Sequence, residues 1–179
     1  MIDLDNLEDS ISKIYSKYYL EVYRFLVCFS GNQNDAEDLT QEVFIRVLYN
    51  LSTFKNENNL KTWIFSIAKH VAVDHYRKKR FSSIFSEGFF KQIESSNKGP
   101  NELIEQNEMK MLIHEAISKL KPKYRAVVIF RGINELPVKE TSKILNCSES
   151  KVKVDYHRAI KDLKKMLNLN AEEVIRHAK

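Results

Sequence analysis

Residues that turn or cross-link a chain are scarce here: four Gly, three Pro and two Cys among 179 residues. So few turn-formers argue against a β architecture built from many tight turns, and favour long helices. Cys28 and Cys147 lie far apart and match no zinc or redox spacing, so they imply at most a reducing compartment. No uninterrupted apolar run approaches membrane-spanning length, and the start, "MIDLDNLEDS", is acidic where a secretory signal is basic and then apolar. A soluble cytoplasmic protein is expected. No glycine loop is built to cradle phosphate and neither cysteine has an adjacent base. Nothing in that inventory supports an enzyme or calls for a cofactor.

What the chain does contain is enough apolar residue, 43%, to bury a core, at a length that suits one domain or two small ones. The formal charge of +5 is unevenly spread. Met1 to Arg80 is balanced, Phe81 to Glu105 is slightly acidic, and Gln106 to Lys179 carries the basic excess. An anionic partner is therefore expected at the C-terminal half.

Apolar residues recur at helical spacing in three N-terminal segments. The first carries Ile11, Ile14, Tyr18, Val22, Phe25 and Leu26, with Gly31 as its stop. The second begins with Asn34 as the N-cap candidate and Glu37 three residues on, and carries Leu39, Val43 and Val47 with Phe44 and Leu48 alongside. The third runs from about Asn59 to Arg80 with Leu60, Ile64, Ile67, Ala68 and Val71 inward. Three such stripes can close one small bundle, residues 1–80. Periodicity then fails from Phe81 to Gly99, which reads as a linker. Pro100 suits the first turn of a new helix passing Leu103, Met111, Ile113 and Ile117 to Leu120. About four helices make up this second unit, residues 100–179. The expected fold is all-α, two small helical domains joined by a flexible linker.

Between Val138 and Leu167 the pattern is a short helix, a turn around Asn146 to Ser148, and a longer helix. Ser148 is a good N-cap, and Val152, Tyr156, Ala159, Ile160, Leu163 and Met166 share one face. Packing that face on Ile144 and Leu145 leaves Lys153, His157, Lys161 and Lys164 pointing out. A helix-turn-helix needs this arrangement, with donors near the start of its second helix for base edges and lysines further on for phosphates. A solvated lysine face on an ordinary bundle helix is the plainer alternative.

Three stretches in order, "AEDLTQEVFIRVLYNL", "TWIFSIAKHVAVDHYRKKR" and "ETSKILNCSESKVKVDYHRAIKDL", resemble the extracytoplasmic-function sigma factors of bacterial RNA polymerase. The resemblance covers about Ile11 to Leu167. It implies that the chain binds core polymerase and directs promoter-specific initiation. Asp38, Gln41, Glu42 and Arg46 would dock on the clamp helices of the largest subunit, against the alternative of a solvated acidic face near a helix N-terminus. The loop "FKNENN" and the third helix would bind the −10 element as single strand, through Lys55, Asn56, Asn58, Asn59, Lys69, His70, Asp74, Arg77 and Lys78. Each asparagine is equally explained as loop chemistry, and Trp63 is read as core before base-stacking platform. "KPKYRAVVIFRGIN" resembles the segment that packs on the flap of the second-largest subunit. Lys151, Lys153, Val154, Asp155, His157, Arg158 and Lys161 would meet the −35 duplex in the major groove. Many relatives are held by an anti-sigma factor, often membrane-anchored, which adds a possible partner.

Asp155 departs from the family, where Arg is common. It is expected on the helix surface, pairing with Lys151 or Arg158, or else accepting from a cytosine amino group. Two rival functions stay open. His70 and Asp74 share a helical face with His75 nearby, as a metal site would require, but no third ligand is indicated. A stand-alone helix-turn-helix regulator explains the C-terminal charge and assigns no role to "AEDLTQEVF".

Overall fold

The computed structural model describes residues 4–52, 54, 59–86 and 104–167. Those residues form helices, with no strand among them. Lys55, Asn56 and Asn58, most of the expected linker, Pro100 and Leu103 lie outside the described residues.

Helix α1 (Leu4–Ser30) buries Tyr18, Val22, Phe25 and Leu26 of the expected stripe, and Phe29 beyond it. It ends at Gly31, whose φ of +71° lies in the left-handed region that a side chain disfavours. Helix α2 (Gln33–Leu51) is capped two residues before the expected position: the side chain of Asn32, not Asn34, accepts from the Asp35 amide at 3.0 Å. Ala36, Leu39, Val43 and Val47 are buried, while Leu48 is exposed and not part of the inner stripe. Helix α3 (Leu60–Ser86) buries Ile64, Ala68 and Val71 as expected, and Phe65 and Ala72 beside them. It continues past Arg80, so Phe81 to Ser86 belong to the helix and not to the linker. Asp35 ties α2 to α3 by reaching His75 at 3.4 Å and Lys79 at 3.2 Å.

The second unit comprises α4 (Ile104–Lys119), α5 (Pro122–Val128), α6 (Val138–Leu145) and α7 (Glu149–Leu167). Pro122 opens α5, where its missing amide hydrogen costs nothing. α5 runs on as a wider π-helical turn, Ile129–Ile133, closed by the Asn134 amide on the Ile129 carbonyl at 2.8 Å. Ile113, Ile117 and Leu120 are buried and Met111 is exposed. α6 stops at Asn146 in the left-handed conformation, with its amide and that of Cys147 closing on the Lys143 and Ser142 carbonyls. Ser148 then caps α7 by accepting from the Lys151 amide at 3.2 Å.

The two units pack on each other and share one apolar core. α1 meets α4 and the π turn, and α3 meets α5 and α6. Phe130 of the π turn stacks on Phe25 of α1 at 4.7 Å between ring centroids and meets Phe65 of α3 edge-on at 5.6 Å.

Candidate nucleic-acid interface

The α6–turn–α7 segment is a helix-turn-helix in geometry. Val152, Ala159, Ile160 and Leu163 are buried, Tyr156 is half-buried, and Ile144 and Leu145 pack against them. Met166, placed on the same stripe by its spacing, is exposed near the end of the helix. Tyr156 also lies beneath the Arg131 guanidinium at 5.9 Å, and burial raises its phenol's pKa while Arg131 opposes the rise. The opposite face presents Lys151, Lys153, Val154, His157, Arg158 and Lys161, all exposed. That is a face of four cations, an imidazole and one apolar side chain: phosphate-neutralising groups around positions able to reach a groove.

Asp155 does not join them, which corrects the expected surface position. It is 6% exposed and turns toward α5, where its carboxylate pairs with Lys151 at 3.3 Å and with Lys123 at 3.6 Å. The local pair with Lys151 is the expected one-turn contact; Lys123 takes the place expected of Arg158. An acid so enclosed by its own fold has no open path to a base edge.

On α3, His70, Asp74, Arg77 and Lys78 are exposed along one side. Asp74 pairs weakly with Arg77 at 3.9 Å, and His70 Nε2 lies 3.0 Å from Lys69 Nζ. Lys69 itself is half-buried; burial lowers its pKa, with nearby Asp74 and Cys147 working in the other direction. Phe81, exposed and one turn beyond Arg77 and Lys78, continues this side of the helix. Periodicity alone places it in a linker, because the helical stripe of α3 is not continued by its serine neighbours. Asn59 is half-buried at the start of α3. Trp63 stacks on Phe54 at 4.6 Å and is partly buried, consistent with a packing role. The grouping of His70, Asp74 and His75 is not a converging one, since His75 turns to Asp35 while Asp74 reaches Arg77. Among the described residues, no three His, Cys, Asp or Glu side chains come together to hold a metal.

The outer face of α2 is more mixed than its spacing suggested. Asp38 and Gln41 are exposed, and Glu42 accepts from Arg46 Nε at 2.7 Å. Ile45, Leu48 and Tyr49 emerge on the same side, Tyr49 at 78% exposure. The sequence carries a signal for them, three apolar residues off the inner register of Leu39, Val43 and Val47. Apolar side chains ringed by polar ones make a face suited to a protein partner.

Two family models match the chain, sigma-70 region 2 over residues 14–82 and sigma-70 region 4 over residues 110–163. The ECF RNA polymerase sigma factor SigX of Bacillus subtilis is 37% identical over 94% of this chain and 89% of its own length. The chain belongs to the ECF family of RNA polymerase sigma factors. SigW of the same organism is 31% identical over 89% of this ECF chain and 90% of its own. The solved sigma factor RpoE, in complex with the anti-sigma factor NepR from Bartonella quintana, superposes with a TM-score of 0.71 over 90% of this chain and 98% of that one, at 21% identity. CnrH, in complex with the cytosolic domain of CnrY, gives 0.67 over 90% and 89%, at 17% identity. These two likenesses show the all-α fold. No helix among the described residues is long and apolar enough to cross a membrane.

Proposed function

We propose that this ECF sigma factor binds core RNA polymerase in the cytoplasm and directs initiation at promoters carrying its own −10 and −35 elements, with no catalytic step of its own. One observation carries the reading: a single chain joins a helix-turn-helix whose outer face is cationic to a bundle whose α2 face combines Asp38, Gln41 and Glu42 with exposed Ile45, Leu48 and Tyr49. A duplex reader needs the first surface; only a subunit of a larger protein machine needs the second as well.

In this reading Asp38, Gln41, Glu42 and Arg46 contact the clamp helices of the largest subunit, and the segment around α5 meets the flap of the second-largest. The −10 strand, unpaired, lies along His70, Asp74, Arg77 and Lys78 with Lys69, Asn59 and the stretch Lys55, Asn56 and Asn58. The −35 duplex takes Lys151, Lys153, Val154, His157, Arg158 and Lys161, while Asp155 supports the helix from behind. An anti-sigma factor is a further proposed partner, because the sigma factor RpoE, whose fold this chain shares, is found in complex with the anti-sigma factor NepR. The test is transcription from a candidate promoter with purified core polymerase. Specific initiation that depends on the added chain supports the reading; duplex binding without initiation would make the protein a stand-alone regulator.

A further inference from the structure

An exposed phenylalanine alone needs no explanation, but Phe81 stands 64% exposed at the end of a run of cations. Of the bases just before it, Lys79 is taken up by Asp35 of α2. Arg77 and Lys78, with Phe81 and Ser82, form one strip along α3 at i, i+1, i+4 and i+5. Together these four residues line an open cleft of about 390 Å³ with almost no polar atom in its wall. The phenyl ring and the methylene stems of the two bases make that wall, and the charged ends of Arg77 and Lys78 stay in water at its rim, as their exposure requires. Such a cleft repels a cationic partner. It fits a ligand that is anionic along its frame and apolar at one point, and it continues the side of α3 that carries His70, Asp74, Arg77 and Lys78.

Chain order sets the direction in which it continues. α3 leads from the first unit toward the second, and with −10 on the first and −35 on the second, the C-terminal end of α3 faces the upstream side of the −10 element, where the DNA is still paired. Phe81 lies seven residues past Asp74, about 10.5 Å at a rise of ~1.5 Å per residue, which spans about three base pairs at ~3.4 Å each. Paired bases show only their edges. A phenyl ring has no hydrogen-bond donor or acceptor, so the feature it can select in a major groove is the thymine methyl.

We propose that Phe81 is a specificity-determining residue: its cleft seats a thymine methyl of duplex DNA about three base pairs upstream of the bases met by Asp74, while Arg77 and Lys78 hold the flanking phosphates. The proposal rests on the sigma-factor reading. It adds a base preference that belongs to neither the −35 element nor the unpaired −10 strand.

The test uses holoenzyme assembled from core polymerase and the full chain, on promoter duplexes with thymines placed roughly two to four base pairs upstream of the −10 element. Each thymine is replaced in turn by deoxyuridine, which lacks only the methyl. At one position the wild type is expected to bind thymine about fourfold more tightly than deoxyuridine, the ratio that burying one methyl group gives. Phe81→Ser should abolish that preference with the salt dependence unchanged, and Phe81→Leu should keep most of it. Lys78→Ala should do the reverse: weaker binding to both duplexes alike and a salt dependence shallower by about one ion, with the thymine preference intact. Circular dichroism and Tm confirm that each variant stays folded, as exposed positions near a helix end allow. Equal affinity of the wild type for thymine and deoxyuridine at every position would overturn the methyl contact, and so would a thymine preference that survives in Phe81→Ser. Either result leaves the sigma reading standing, because initiation by the wild type on the thymine duplex is measured alongside. Failure of that initiation would remove the sigma reading and the methyl contact together.

Discussion

Removing the Asp155 carboxylate as Asp155→Asn separates a structural acid from a base-reading one. The carboxylate is enclosed, with only 9% of its side-chain surface exposed, whereas Lys151 and Lys123 are each more than half exposed. When the acid is lost, both ammonium groups turn into water, so the loss is that of two screened pairs, about 1–2 kcal/mol together. For a chain of this size that lowers Tm by about 2–8 °C. Removing the lysines instead, as Lys123→Met with Lys151→Met, leaves the acid enclosed without a cation. Stranding a buried charge costs about 3–5 kcal/mol. The double-lysine variant should therefore melt below Asp155→Asn, and adding Asp155→Asn to it should restore part of the loss.

The matching assay is binding of wild type and Asp155→Asn to a set of −35 duplexes at fixed salt. An acid that supports α7 from behind predicts the same base preferences for both proteins. It also predicts a uniform gain in affinity and a salt dependence steeper by about one ion, since Lys151 is released to the phosphates. Loss of preference at a single base pair, with Tm unchanged, would refute the argument and return Asp155 to the groove.

Replacing Asp38 and Gln41 with Ala, together with Tyr49→Ser, should weaken core-polymerase binding about tenfold or more, roughly 1.4 kcal/mol per factor of ten. Tm should move by less than about 2 °C, because all three side chains are exposed; unchanged affinity in a pull-down titration would mark α2 as a solvated face. Cys147 lies in the helix-turn-helix turn, and burial raises its thiol pKa above the ordinary value of 9.0. The folded chain then holds that proton where the unfolded chain has released it, so the contribution to stability is complete below pH 9 and falls as pH rises above it. Cys147→Ser should remove this part of the alkaline decline in Tm, and iodoacetamide at pH 8 should label Cys147 more slowly in the folded chain than in urea.

Much of the fold was legible because one face of each helix is apolar at helical spacing: Tyr18, Val22, Phe25 and Leu26, or Val152, Ala159, Ile160 and Leu163, lie inside as their period requires. The helix starts were less so. Asn34 and Asn32 present the same chemistry two residues apart, and the choice falls to Asn32, whose backbone is held by Ser30 through bonds of 2.9 and 3.2 Å to the hydroxyl. Spacing could not find the end of α3 either, since Phe81 and its serine neighbours read as loop composition while the backbone continues helically to Ser86.

The harder cases are two charged residues in apolar surroundings, because periodicity reports that a position faces inward and is silent on what it faces. Asp155 sits at the border between the buried and cationic sides of α7, and Lys123 on α5 draws it inward. Arg125 lies in the segment whose resemblance pointed to the polymerase flap, yet its guanidinium is spent on the Phe29 carbonyl and on the rings of Phe29 and Tyr76 in the first unit. A buried arginine cannot shed its charge, so it must keep such partners or return to water. If α5 also meets the flap, the two engagements compete for one short helix.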